Sequence, residues 1–132
     1  MSIIGIDSGS SHVKIVQMDE KEKIERKLIL EKMPVLQAFD VFINKEKIDK
    51  QSIQKIVLTG VGQSEISDNI CNIPTQKIDE FMAIGTGGLY LTKRKKGLVV
   101  SIGTGTAFVI SNGKKHKHIG GTGIGGRNLT KS

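Results

Sequence analysis

The sequence predicts an α/β protein in the order βββαβαβα followed by a second βββ, and three observations carry that prediction. Two apolar runs, Ile3-Ile4-Gly5-Ile6 and Leu98-Val99-Val100, each lead through a turn of Gly, Ser and Thr into another apolar run. Helical spacing of apolar residues is confined to stretches between those two hairpins. The strands that begin at Gly97 repeat the order with which the chain opened. The expected organisation is one complete α/β domain over residues 1–95 and the first hairpins of a second over residues 96–132.

Each element has a local reason. Residues 2–7, 12–18 and 23–31 read as three short strands of an antiparallel meander, joined by the Ser/Gly turn and by the charged turn Asp19-Glu20-Lys21-Glu22. Pro34 suits the start of a helix, where its missing N–H costs nothing, and Val35, Leu36, Phe39, Phe42 and Ile43 then recur at helical spacing. Gln54–Gly60 reads as a strand ending in glycine, and a short helix is expected around Ser64–Asn69. Ile73–Ile78 is expected to be extended but interrupted by Pro74. Asp79 can cap a helix over residues 80–92, with Glu80 in its first turn. Strands at 97–102, 106–111 and 114–119 follow, the last two joined by Asn112-Gly113, a strong hairpin signal. A glycine-rich run, Gly120–Gly126, comes next.

Composition narrows the function classes. No run of about 18 apolar residues exists, so no transmembrane helix is expected. Met1-Ser-Ile-Ile-Gly-Ile enters a strand without a charged leader, and the one cysteine, Cys71, forms no internal disulfide; a cytoplasmic protein is expected, with Cys71 in the core. The net charge of +7 gathers in Lys45–Lys55, Lys93–Lys96 and Lys114–Lys117. Nucleic-acid modules add exposed aromatics or a groove-reading element to such a patch; with one tyrosine and no tryptophan, these lysines read as solvated loops that draw in anionic metabolites. No nucleic-acid or membrane partner is expected.

The chemistry follows from the two glycine turns, Asp7–Lys14 and Ser101–Ala107. Backbone N–H groups and hydroxyls converging in a tight turn make a concave anion site, and two such turns facing each other can grip a polyphosphate. The candidate phosphate contacts are Gly9, Ser10, Ser11 and Lys14 in the first turn and Gly103, Thr104, Gly105 and Thr106 in the second. Asp7 either holds Mg²⁺ against ATP phosphates or braces its own turn; the presence of a second turn favours the metal. Glu80 is the candidate general base for an acceptor hydroxyl, although a helix dipole alone favours Glu there, and that simpler explanation prevails from the residues alone. Gly120–Gly126 is a candidate third cradle that fits neither P-loop nor dinucleotide-binding spacing. His116 and His118 alternate onto one strand face, without the further ligands a metal needs.

Together these residues resemble the acetate-kinase, sugar-kinase, heat-shock-ATPase and actin superfamily, and within it the type II (eukaryote-like) pantothenate kinase family. The family's opening G-I-D-x-G-G-T-x-x-K-I-V is matched by Gly5-Ile-Asp7-Ser-Gly9-Ser-Ser11-His-Val-Lys14-Ile-Val16. Its Glu-bearing segment is similar to Lys77-Ile-Asp79-Glu80-Phe81-Met-Ala83, its second phosphate motif to Ile102-Gly103-Thr104-Gly105-Thr106, and its substrate-side loop to Gly120–Gly126. The resemblance covers essentially the whole chain and implies a ribonuclease H-like, actin-like ATPase fold. It implies an ATP-dependent kinase, using Mg²⁺, that phosphorylates pantothenate in the first step of coenzyme A synthesis. It makes Glu80 the base, Asp7 the metal carboxylate, and His118, Gly120 and Gly121 substrate-side residues.

Two departures bear on the acceptor. Ala107 stands where the family has Ser, and His118 where it has Arg, so a hydroxyl and a permanent cation are missing; Arg127 is the one nearby candidate to restore charge. The family's adenine site lies beyond Ser132, so the expectation is half of a larger protein, acting as a homodimer or paired with a C-terminal lobe. Two alternatives remain: an activator ATPase of the acyl-CoA dehydratase type, which would need cluster-ligating cysteines, and a catalytically inactive nucleotide-binding module.

Overall fold

The computed structural model describes residues 1–60, 68–102 and 106–122, with backbone alone at 101–102, 106–107 and 121–122. The chain forms two compact units, Met1–Ile78 and Asp79–Ser132. The sequence placed a boundary after residue 95; the packing given below joins the helix that starts at Glu80 to the second sheet.

The first unit is a mixed sheet with one described helix. Its strands are β1 (Ser2–Ser8), β2 (His12–Met18), β3 (Ile24–Glu31), β4 (Ile53–Gly60), β5 (Asn69–Ile70) and β6 (Ile73–Lys77), in the order β3-β2-β1-β4-β6-β5. The three-strand meander is as expected: β1 pairs β2 and β2 pairs β3, both antiparallel. β4 then pairs β1 in parallel, through a crossover carrying α1 (Val35–Glu46).

Burial alternates along β1, with Ile4, Ile6 and Ser8 turned inward. With Val13 and Ile15 of β2 and Ile56 and Leu58 of β4 they form one core with Val35, Ala38, Phe39, Phe42 and Ile43 of α1. Phe39 and Phe42 are fully buried, and truncating either to Ala costs about 3–5 kcal/mol. β3 keeps Glu25, Arg26, Lys27 and Glu31 exposed, which blunts an open sheet edge.

Pro34 occupies the N-cap of α1 itself, at φ −57 and ψ 143, and offers no side-chain cap. Pro74 does not interrupt its segment. It lies inside β6 opposite Asn69 of the two-residue β5, at a margin where a missing ladder donor is tolerated. Of the helix expected at Ser64–Asn69, residues 64–67 lie outside the described residues, and Asn69 begins β5. Cys71 is exposed rather than buried. It and Asn72 have φ of 52 and 65, so they form the tight two-residue turn that reverses β5 into β6.

The second unit contains α2 (Glu80–Thr92) and an antiparallel sheet of β7 (Gly97–Ile102), β8 (Thr106–Ser111) and β9 (His116–Thr122), in that order. Glycines let α2 lie close to the sheet. A Cβ on Gly88 would sit 2.6 Å from the Val99 side chain, and one on Gly85 would strike the His116 ring. β9 starts two residues later than expected and runs through Gly120, Gly121 and Thr122, paired with Phe108, Ala107 and Thr106. The front of the predicted glycine cradle is therefore sheet, because β8 offers an equally long partner. Among the described residues no helix is long and apolar enough to cross a membrane.

Candidate functional site

In the first unit the site is built where β1 and β4 end side by side. Parallel pairing puts Ser8 level with Gly60 and Asp7 level with Thr59. Ligands in such sheets bind beyond the carboxyl ends of the strands. Gly60 is required here: its φ is +106, and a Cβ would lie 2.3 Å from Ser8 O.

The β1–β2 turn closes with the Gly9 N–H donating to His12 O at 2.9 Å, so that N–H serves the turn rather than a ligand. Ser10 is exposed at the tip and Ser11 half-buried, with Ser11 Oγ and His12 Nδ1 3.1 Å apart. Register aligns Lys14, Asp7 and Thr59 across three adjacent strands on the face turned away from α1. Thr59 is 6% exposed, and its Oγ1 has no hydrogen-bond partner among the described residues. A buried hydroxyl without a partner is costly unless something else satisfies it.

That observation bears on Mg²⁺. One half-buried carboxylate and one unsatisfied hydroxyl, both hard oxygens beside the β1–β2 turn, fit an ion that keeps several waters and takes its remaining ligands from phosphate. One residue missed by the sequence reading reaches the same turn. Lys32 Nζ donates to Ser8 Oγ at 2.7 Å and to Gly9 O at 2.9 Å. It belongs to no motif; only the return of β3 alongside β2 brings it there.

In the second unit two adjacent acids divide their work. Asp79 is the N-cap of α2, its Oδ1 accepting the Met82 N–H at 2.9 Å. Glu80, the first residue of the helix, is exposed. The next residue, Phe81, stacks on the His118 ring with centroids 4.2 Å apart and planes 9° from parallel. That stack ties His118 to the first turn of α2, the turn that carries Glu80. His116 is occupied differently: Nδ1 lies 2.7 Å from Ser111 Oγ and Nε2 3.4 Å from Thr86 Oγ1. The two histidines therefore serve separate contacts.

Gly103, Thr104, Gly105 and Arg127 lie outside the described residues. Thr106 pairs with Ile102 and Thr122, and Gly120 and Gly121 with Phe108 and Ala107, in the backbone ladder.

No protein-family model matches the chain. Over 128 residues, 93% of the chain, it is 32% identical to the type II pantothenate kinase of Staphylococcus aureus (strain USA300) and spans 45% of that relative's length. The activator of the 2-hydroxyisocaproyl-CoA dehydratase from Clostridium difficile, solved with bound ADPNP, superposes with a TM-score of 0.71 at 18% identity, over 89% of this chain and 45% of that one. A ROK family glucokinase from Streptomyces griseus, in complex with glucose and AMPPNP, gives 0.65 at 16% identity, over 94% and 48%. The fold is the ribonuclease H-like α/β fold of the actin-like ATPases, and the chain resembles a type II pantothenate kinase over about half of such a protein's length.

Proposed function

We propose that this chain supplies the phosphate-gripping and base-bearing part of an ATP-dependent kinase, and that its acceptor is the hydroxyl of pantothenate or a close analogue. The observation that carries the reading is the 32% identity to a named pantothenate kinase over 93% of the chain, on a fold shared with proteins solved with ATP analogues.

In this reading the β1–β2 turn and the Gly103–Thr106 turn hold the phosphates, with Lys14 contributing charge. Asp7 and the Thr59 hydroxyl would hold Mg²⁺, which neutralises charge on the transferring phosphoryl group when bound. Glu80 takes the proton of the acceptor hydroxyl as its oxygen bonds to the γ-phosphorus and the bond to the β-phosphate oxygen breaks, leaving ADP. Phe81 holds His118 beside Glu80, on the acceptor side. With Ala107 and His118 in place of a hydroxyl and a permanent cation, the carboxylate end of the acceptor loses one hydroxyl donor and one fixed positive charge, so an uncharged pantothenate amide should compete better here than for an enzyme that keeps both. The protein is expected to work in the cytoplasm, as a homodimer or with a C-terminal lobe.

Glu80→Gln is the direct test. Transfer of labelled γ-phosphate to pantothenate should fall at least 100-fold, within the range general-base catalysis supplies, while Mg-ATP still shifts the Gly9 amide. Retained transfer sinks the role of Glu80; no shift at Gly9 with millimolar Mg-ATP sinks the nucleotide site. The fold is shared with a dehydratase activator, and the second reading is an activator ATPase, which by the resemblance would need a cysteine-ligated iron cluster. A colourless, iron-free protein with kinase activity rejects it.

A further inference from the structure

Lys32 is held in a way that a solvated lysine is not. Its ammonium bridges two points of the β1–β2 turn, Ser8 Oγ at 2.7 Å and Gly9 O at 2.9 Å. Ser8 is 1% exposed, so the anchoring oxygen is itself fixed. Both acceptors are neutral. Among the described residues no carboxylate forms an ion pair with Lys32. An ammonium has three N–H donors, of which two are engaged here. The remaining donor and the full charge stand, exposed, at the lip of the turn that the reading above assigns to phosphate.

Direction matters as well. Ser8 points to the α1 face of the sheet, whereas Asp7 and Lys14 project from the other. Lys14 and Lys32 thus approach one turn from opposite faces. A plain strut between β3 and β1 needs two hydrogen bonds but gains nothing from an unneutralised charge.

We infer that Lys32 is a second phosphate-binding cation of the β1–β2 turn, contacting non-bridging oxygens of a nucleoside triphosphate while it fixes the turn's shape. The inference rests on the nucleotide reading above and adds a residue to it.

The test uses the unmodified chain first. Amine methylation is followed by mass spectrometry with and without saturating Mg-ATP, with Lys21, in the charged β2–β3 turn, as the internal reference. Protection of Lys32 by fivefold or more relative to Lys21 supports the inference. Amide shifts at Gly9 without protection of Lys32 overturn it and leave the nucleotide site standing. No shift at Gly9 overturns both. Lys32→Met and Lys32→Arg then separate contact from strut. Contact predicts that Lys32→Met weakens Mg-ATP binding tenfold or more and flattens its salt dependence, and that Lys32→Arg recovers to within threefold. Equal loss of thermal stability in both variants, with an unchanged salt dependence of ATP affinity, reduces Lys32 to a strut.

Discussion

The two described hairpin turns rich in small residues, β1–β2 and β8–β9, look alike on paper, and the structure separates them. Each carries a glycine, each lies near lysines, and each joins antiparallel strands. The β8–β9 turn consumes its own donors. Asn112 N–H donates to Lys115 O, the N–H groups of Lys114 and Lys115 both donate to Asn112 Oδ1, and Gly113 N–H donates to Ser111 Oγ. The β1–β2 turn closes with Gly9 N–H to His12 O, carries serine hydroxyls at its tip, and recruits a lysine from another segment. In the reading proposed above, the lysines beside the β8–β9 turn are solvated charge, whereas Lys32, hydrogen-bonded to Ser8 Oγ and Gly9 O, is a binding element. Glycine content and net charge do not distinguish the two; the lysine recruited from outside the turn does.

The largest way to break this contrast is at the floor of the first turn. Gly60→Ala puts a methyl group 2.3 Å from Ser8 O at a backbone φ of +106. Backbone strain at such a position is of order 1–3 kcal/mol, and the clash with main chain adds to it, so a loss of about 3 kcal/mol or more is expected. Denaturant unfolding measures the loss, and Mg-ATP should no longer shift Gly9. A variant as stable as the parent would mean that β1 and β4 do not meet this closely.

A smaller effect is expected at Asp7. Asp7→Asn keeps the shape and the turn but removes the charge that the reading proposed above sets against Mg²⁺. Mg-ATP affinity should fall by ten- to a hundredfold, the equivalent of about 1.5–3 kcal/mol for a charged hydrogen-bonding partner. Affinity for ATP without Mg²⁺ should hold or rise, since a negative group beside the phosphates is gone. Isothermal titration with and without Mg²⁺ checks the pair, and an equal fall in both would assign Asp7 to the turn alone.

What was legible in the sequence divides along the same line. Apolar alternation and turn residues located β1–β4, α1, α2, β7 and β8 closely, because period and punctuation are local properties. The Asp79 cap and the place of Glu80 in the first turn of α2 were readable for the same reason. Lys32 was not, since its role depends on β3 returning beside β2 and on nothing in its own neighbourhood. The tight Cys71-Asn72 reversal was hidden because cysteine and asparagine do not announce left-handed backbone as Asn-Gly does. Gly120 and Gly121 read as loop from composition, yet their pairing with Phe108 and Ala107 outweighed their weak intrinsic strand preference. The Thr59 orphan hydroxyl was invisible for a related reason: satisfaction of a polar group is a property of the assembled site.

The smallest effect tests the other half of the contrast. Asn112→Ala removes the acceptor for the Lys114 and Lys115 N–H groups. Both residues are exposed, so water replaces the lost partner, and the cost should be about 1 kcal/mol or less instead of the larger penalty of a buried orphan. Asn112→Asp keeps an acceptor oxygen at the same reach and should recover most of that stability. Neither variant should change the Mg-ATP response at Gly9, because donors turned inward on Asn112 were never available to a ligand. If Asn112→Ala instead weakened ATP binding while leaving stability intact, the β8–β9 lysines would be part of the nucleotide site. The contrast between the two turns would then fail as a guide to the phosphate site proposed above.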